Sequence, residues 1–160
     1  MYKRLSVIIL SLLYITLCYS QDTSVFQNAL IKLYPDAANV IWNQKSDYHV
    51  ATFTRNDYEM EVWMNDNAEW IMSVYDIEDL DELPPDVYNV FTFTQYSQWN
   101  VTNVFWVTFP NMQEQFIIKV NQDNSSSKCM LFFTASGEEL QTIDNSYSDI
   151  KITPRLFDIK

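Results

Sequence analysis

The sequence predicts an α+β protein in which one unit, a helix followed by a four-stranded antiparallel sheet, is repeated in tandem. Two patterns predict this fold class: apolar residues change from helical spacing to alternation near Val40, and the helix-then-strands order restarts at Leu83. Composition agrees, because 48% hydrophobic and 16% aromatic residues can build the core of one domain or of two small fused units.

The first half begins with a short amphipathic helix. Phe26, Ala29, Leu30 and Leu33 recur at helical spacing, and Pro35 ends the run. The strands expected next cover 39–43, 47–54, 58–64 and 69–76. Turns rich in Asn, Asp and Ser separate them, so we expect successive hairpins and an antiparallel sheet.

The second half repeats this order. Pro85 stands at a tolerated early position of a second helix, whose apolar stripe is Val87, Val90 and Phe91. The strands expected after it cover 103–109, 115–120, 128–133 and 139–143. The predicted organisation is therefore a first repeat over 21–82, a second repeat over 83–144, and a C-terminal tail over 145–160 that the pattern does not place.

Residues 1–20 have the features of a secretory signal peptide. Lys3 and Arg4 precede a short apolar run, and Cys18-Tyr19-Ser20 has the form of a cleavage site. The apolar run is too short for a membrane anchor, so no stable membrane span is expected after cleavage. Acylation of Cys18 is the alternative, although Leu17 is unusual before a lipidated cysteine. Cleavage after Ser20 predicts an exported, periplasmic protein.

Charge and glycine content exclude several functions. The formal net charge of -11 opposes binding to nucleic acid. A single glycine cannot build the glycine-rich phosphate loops of nucleotide-binding enzymes. The acidic run over 76–86 lacks the ligand spacing and central glycine of a calcium loop, and indicates a solvated connector. We expect no cofactor and no metal site.

The order of several motifs resembles a known family of secreted proteins. These motifs are Tyr34-Pro35-Asp36-Ala37, Val40, Trp42, Glu61-Val62-Trp63, Glu69-Trp70, Leu83-Pro84, Val87, Tyr96, Trp99 and Val101. They look like the PepSY-like, beta-lactamase-inhibitor-like (BLIP-like) family of small proteins from Gram-negative bacteria, over most of residues 25–143. The resemblance implies two tandem helix-plus-four-strand units, periplasmic residence and no known catalytic machinery.

One turn departs from the family pattern. The family commonly has Asp-Gly or Asn-Gly after the strand that contains its Trp, and Asn67-Ala68 stands there in this chain. A type I′ turn needs positive φ at both central residues, which disfavours it here. We therefore expect the hairpin after Trp63 to use another turn type.

The candidates for catalysis are few, so no catalytic residue is predicted and the protein is not expected to be an enzyme. His49 lies mid-strand in alternation with apolar residues, which indicates a structural histidine. Cys129 also lies within a strand, where a buried, inert thiol is expected. Glu59 and Glu61 share one strand face and could pair as glycosidase carboxylates, but a solvated strand face explains them as well.

Aromatic residues near these carboxylates predict a binding surface. Alternation places Trp63 on the same face as Glu59 and Glu61, and Trp70 follows on the next strand. Trp is common among the residues that dominate protein interfaces. The alternative is that the tail or the second repeat covers Trp63, and a one-residue change of register would send Trp70 to the opposite face.

Three functions follow in order of preference. The first is a non-enzymatic periplasmic module, inhibitor-like in character, that binds a protein or peptide through this aromatic, acidic sheet face. The second is an envelope protein that binds a small ligand or glycan with the same aromatic residues, and the third is an enzyme with paired carboxylates. A large interface would favour the first, and a single concave pocket would favour the second.

Overall fold

The computed structural model describes residues 24–158, so the proposed signal peptide lies outside the described residues. Helix α1 covers 24–33, and α2 covers Pro85–Phe93. The strands are β1 (Ile41–Lys45), β2 (Tyr48–Arg55), β3 (Tyr58–Met64), β4 (Trp70–Asp76), β5 (Asn100–Thr108), β6 (Gln115–Asn121), β7 (Lys128–Thr134) and β8 (Glu139–Asp144). Short 3-10 helices occupy Leu80–Glu82 and Pro154–Phe157.

All eight strands form one antiparallel sheet in sequence order, from β1 to β8. The predicted fold, a tandem duplication of a helix plus a four-stranded sheet, is therefore wrong. β4 pairs with β5 from Ser73↔Thr108 to Asp76↔Phe105, so the sheet runs without a break through the two halves of the chain. This pairing satisfies backbone groups that two separate sheets would leave at their inner edges. Repetition along a sequence does not show which sheet edges meet.

Both helices cover one side of the sheet, which we call the helix face. Phe26 and Leu30 of α1 and Val87 and Phe91 of α2 are buried there. The β-strand residues that pack with them include Met60, Val62, Met64, Val104, Ile118 and Leu131. The alternation expected in β3 is confirmed, because Met60, Val62 and Met64 all belong to this cluster.

The C-terminal tail covers the opposite side of the sheet, which we call the tail face. The tail residues that pack there are Ile150, Ile152, Leu156 and Phe157. Phe157 meets Phe109 edge-on, with ring centroids 4.9 Å apart. Trp63 of β3 and Met72 of β4 belong to the same cluster on this face. The sequence pattern did not place the tail. The structure shows that the described part of the tail covers the hydrophobic cluster on the tail face.

The turn between β3 and β4 is a three-residue loop. The Ala68 N–H donates to the Asn65 carbonyl, the Asn65 N–H donates to the Glu69 carbonyl, and Ala68 has φ of 58°. This is the pattern of a turn followed by a left-handed residue. Gly137 takes the matching place in the β7–β8 hairpin, with φ of 83°. The β3–β4 hairpin was expected to avoid a type I′ turn. This expectation is confirmed, since Asn67, a central residue of that turn, does not have positive φ.

Candidate functional site

A cavity of about 540 Å³ lies between the tail face and the C-terminal tail. Its floor includes Trp63 of β3, Val74 of β4 and Phe105 of β5, and Ile152 of the tail lines it from the other side. Ligand sites in proteins are typically concave, largely apolar clefts of about 300 to 1,000 Å³. The volume of this cavity lies within that range, and its lining is more charged than that of a typical ligand site.

Three of the four predicted binding residues line this cavity. Glu59, Glu61 and Trp63 share the tail face, as the alternation in β3 predicted. The fourth, Trp70, packs against the helix-face cluster instead. The predicted patch of two indoles therefore does not form.

A β-bulge separates the two tryptophans. Trp63 pairs with Met72, but the next residue, Met64, pairs with Trp70, so β4 carries the extra residue Ile71. The irregularity turns Trp70 to the side of Met64. There the Trp70 Nε1–H donates to Ser73 Oγ at 2.9 Å. From the sequence, a one-residue change of register was expected to place Trp63 and Trp70 on opposite faces. The bulge produces this change.

Trp63 is a core residue, with only 2% of its surface exposed. Tyr48 meets its ring edge-on, and the Lys45 ammonium lies 5.0 Å from its ring centroid. Its Nε1–H donates to Glu61 Oε2 at 3.1 Å. Of the alternatives that the sequence left open, coverage by the tail is the one observed, because Ile152 belongs to the same cluster.

Glu61 is held in place on the cavity wall. One carboxylate oxygen accepts from Lys45 Nζ at 2.6 Å, and the other accepts from Trp63. The two side chains of this ion pair are 40% and 31% exposed, so water weakens the interaction. Both oxygens of the Glu61 carboxylate therefore have donors, while the Glu59 side chain has no hydrogen bond or ion pair among residues 24–158.

Asp76 is a cavity residue that the sequence analysis did not single out. It lies directly opposite Glu59 in the β3–β4 pairing, so the two carboxylates face each other on the tail face. Asp76 accepts from Asn103 Nδ2 and from the Glu78 N–H, both at 3.2 Å. The strand register was the missing information, because neither strand alone shows that the two acids meet.

Basic residues are concentrated around the cavity in an otherwise acidic protein. Four of the seven Lys and Arg residues between 24 and 158 line it, namely Lys45, Lys119, Lys151 and Arg155. The remaining three, Lys32, Arg55 and Lys128, do not. The sequence does not show this feature, because the four residues come from two distant strands and the tail.

Lys119 and Lys151 lie on the side of the cavity away from Lys45. The Lys119 ammonium is 5.5 Å from the ring centroid of Phe105 and donates to the Ile150 carbonyl at 3.4 Å. Within the described residues neither lysine is within 4.0 Å of a carboxylate. Their positive charge is therefore available to an anionic group in the cavity.

His49 and Cys129, which were also considered for catalysis, do not line the cavity. His49 stacks on Phe26, with ring centroids 3.8 Å apart, and its Nε2 is 3.5 Å from Asp66. Cys129 is buried against the helix-face cluster, and burial raises the pKa of its thiol. The predicted burial of Cys129 is confirmed, while the structural role of His49 and the inertness of the thiol stay predictions.

No group of three or more His, Cys, Asp or Glu side chains among the described residues is placed to hold a metal ion. Neither α-helix between 24 and 158 has the length and hydropathy needed to cross a membrane.

Solved structures with this fold identify the family of the chain. A DUF2874 family protein from Bacteroides ovatus is 38% identical, with a TM-score of 0.80, over 83% of this chain and 94% of its own. A BLIP-like protein from Bacteroides fragilis is 34% identical, with a TM-score of 0.77, over 82% and 92% of the two chains. A protein from Bacteroides eggerthii, provisionally described as periplasmic, is 39% identical, with a TM-score of 0.74, over 78% and 89%.

At these identities over most of both chains, the protein belongs to the DUF2874 family. A BLIP-like neighbour supports that part of the resemblance seen in the sequence, whereas the relation to PepSY-like proteins stays a prediction. No protein-family model matches the chain, and a search of curated proteins finds no match.

Proposed function

We propose that the protein is a non-enzymatic binding module of the periplasm that holds a peptide in the cavity between the tail face and the tail. One observation carries the proposal: a cavity of about 540 Å³ lies at Glu59, Glu61 and Trp63, the residues that the sequence predicted for binding. The peptide is a short one or an exposed segment of a protein partner. The BLIP-like and provisionally periplasmic neighbours support a binding role in that compartment.

The lining of the cavity favours a peptide over other ligands. A peptide combines apolar groups with charges of both signs, and the cavity offers Val74 and Phe105 between Glu59 on one side and Lys119 on the other. Charged groups recognise partners mainly by complementarity, which gives specificity more than affinity.

A glycan or other small ligand is the alternative. Sugar binding through aromatic stacking needs an accessible ring face, whereas Trp63 is only 2% exposed and the Lys45 ammonium lies 5.0 Å from its ring centroid. We therefore favour a peptide over a glycan, because a peptide does not need to stack on the Trp63 ring. Catalysis by paired carboxylates is less well supported, because Lys45 and Trp63 already occupy both oxygens of Glu61.

Export from the cytoplasm completes the proposal. Residues 1–20 provide the signal peptide, and cleavage after Ser20 releases the binding module. An intact-mass measurement on the protein recovered from its host tests this step. Retention of the first twenty residues, or a lipid mass on Cys18, would contradict it.

Binding can be tested by retention of peptides from a digest of envelope proteins. Thr153 lines the cavity from the tail, so Thr153→Trp should fill part of the space. Thr92→Trp, at an exposed position of α2, is the matched control. We expect immobilised wild-type protein and Thr92→Trp to retain peptides that Thr153→Trp does not. Equal retention by all three proteins, or none by the wild type, would contradict the proposal, provided that thermal unfolding shows Thr153→Trp to be folded.

A further inference from the structure

The carboxylates of Glu59 and Asp76 form a negative end of the cavity. They are direct cross-strand partners on the tail face, and like charges in this position destabilise a sheet. The side-chain donor to Asp76 is the neutral amide of Asn103, and no cation lies within 4.0 Å of either carboxylate among residues 24–158. A cationic group in the cavity would relieve this repulsion.

Lys119 and Lys151 form a positive end. The ammonium of Lys119 is anchored to the carbonyl of Ile150, the neighbour of Lys151 in the chain, so the tail brings both cations to one side. Asp149 of the tail also lines the cavity, but no carboxylate between 24 and 158 lies within 4.0 Å of either ammonium, so folding gathers two like charges without a salt-bridge partner. An anionic group of a ligand would provide the missing counter-charge, since charge-assisted hydrogen bonds to carboxylates are among the stronger ones in proteins.

The Phe105 ring separates the two ends. Phe105 is the cross-strand partner of Asp76, and the Lys119 ammonium is 5.5 Å from its ring centroid. Lys119 lies two strands from Asp76 and three from Glu59, and its ammonium reaches back over Phe105. Neighbouring strands are about 4.8 Å apart, so the opposite charges are separated by one to three strand spacings, about 5 to 14 Å. An extended chain advances about 3.3 to 3.6 Å per residue, so a peptide of two or three residues has its ends about 7 to 11 Å apart.

We infer that the cavity selects free peptides of two or three residues, with the amino end at Glu59 and Asp76 and the carboxylate end at Lys119 and Lys151. This inference rests on the proposed function and narrows it from peptides in general to short peptides with both ends free. The apolar floor and Phe105 accept the side chain between the ends. Specificity for length follows, because Glu59, Asp76 and Lys119 are all fixed on the sheet.

Native mass spectrometry of the protein with a set of Ala-X-Ala tripeptides tests the inference. The same set is prepared with free ends, with an acetylated amino end, with an amidated carboxyl end, and as eight-residue peptides extended by alanine. We expect the free tripeptides to bind, and each blocked or extended form to bind about tenfold more weakly or less.

Variants assign each end of the peptide to its site. Lys119→Ala with Lys151→Ala should weaken binding of the free peptides and abolish the penalty of amidation. Glu59→Gln with Asp76→Asn should weaken binding of the free peptides and abolish the penalty of acetylating the amino end. Lys128→Ala removes a basic side chain outside the cavity and should behave as the wild type.

The outcomes separate the inference from the function on which it rests. If blocked and extended peptides bind as well as free tripeptides, the selection of free ends is wrong and the peptide-binding function stands. If no form of the peptides binds, both are wrong. If the variants respond equally to both blocking groups, the assignment of ends to residues is wrong.

Discussion

Replacing Trp63 with Ala should cost a large part of the stability of the protein. The ring is 98% covered, packs against Tyr48 and lies over the tail-face cluster that contains Ile152. Truncation of a buried Trp typically costs about 3 to 5 kcal/mol, through lost burial and the cavity left behind. We expect the upper part of this range, because Glu61 also loses the Nε1–H donor.

Thermal and urea unfolding measure this cost. At about 2 to 4 °C per kcal/mol for a protein of this size, a loss of about 4 to 5 kcal/mol for Trp63→Ala should lower the Tm by about 8 to 20 °C. Trp63→Phe keeps most of the packed ring but not the N–H donor, and should cost about 1 to 2 kcal/mol. Phe93→Ala is the control, because Phe93 is 91% exposed and its loss should change stability by no more than about 0.5 kcal/mol.

A loss for Trp63→Ala no larger than for Phe93→Ala would refute the reasoning. It would mean that the tail does not cover this face, and Trp63 would again be a candidate for an exposed contact residue.

Three further predictions concern the turns, the thiol and one ion pair. Ala68→Gly should stabilise the protein by up to about 1 kcal/mol in urea unfolding, because Ala68 has φ of 58°, whereas Gly137→Ala should destabilise it, because φ there is 83°. Iodoacetamide should leave Cys129 unmodified in the native protein and alkylate it in denaturant, as peptide mapping can show, because burial raises the pKa of the thiol. The hydrogen bond from Arg55 lowers the pKa of Asp36 below its ordinary 3.8, so the stabilisation by this pair is present above that pH and is lost as the pH falls through the lowered pKa. An NMR titration should show the Asp36 midpoint returning towards 3.8 in Arg55→Gln, and an unchanged midpoint would contradict the assignment.

The spacing of apolar residues along the sequence predicted most of the secondary structure. Each of the eight strands starts and ends within about three residues of its predicted position, and both helices lie where the apolar spacing placed them. Hairpins follow from short polar turns between alternating segments, and their antiparallel pairing is confirmed. These features depend on residues close together in the chain, so their signals are present in short stretches of sequence.

The features that build the site depend on long-range pairing. The bulge at Ile71 reverses the side of Trp70, and no residue type in β4 indicates it. The meeting of Glu59 with Asp76 depends on strand register, and the position of Lys151 depends on the tail packing onto a distant sheet. The periodicity analysis found no pattern in the tail, because its irregular backbone has neither the period of a helix nor that of a strand.

The central claim is that peptides bind in the cavity between the tail face and the tail. Two-dimensional NMR of the ¹⁵N-labelled protein, titrated with the free Ala-X-Ala set, tests it most directly. We predict the largest shift changes at the backbone amides of Asp76, Phe105 and Lys119 and at the indole N–H of Trp63, with none at α2. Changes confined to α2 and the helix face, or no changes at saturating peptide, would contradict the claim.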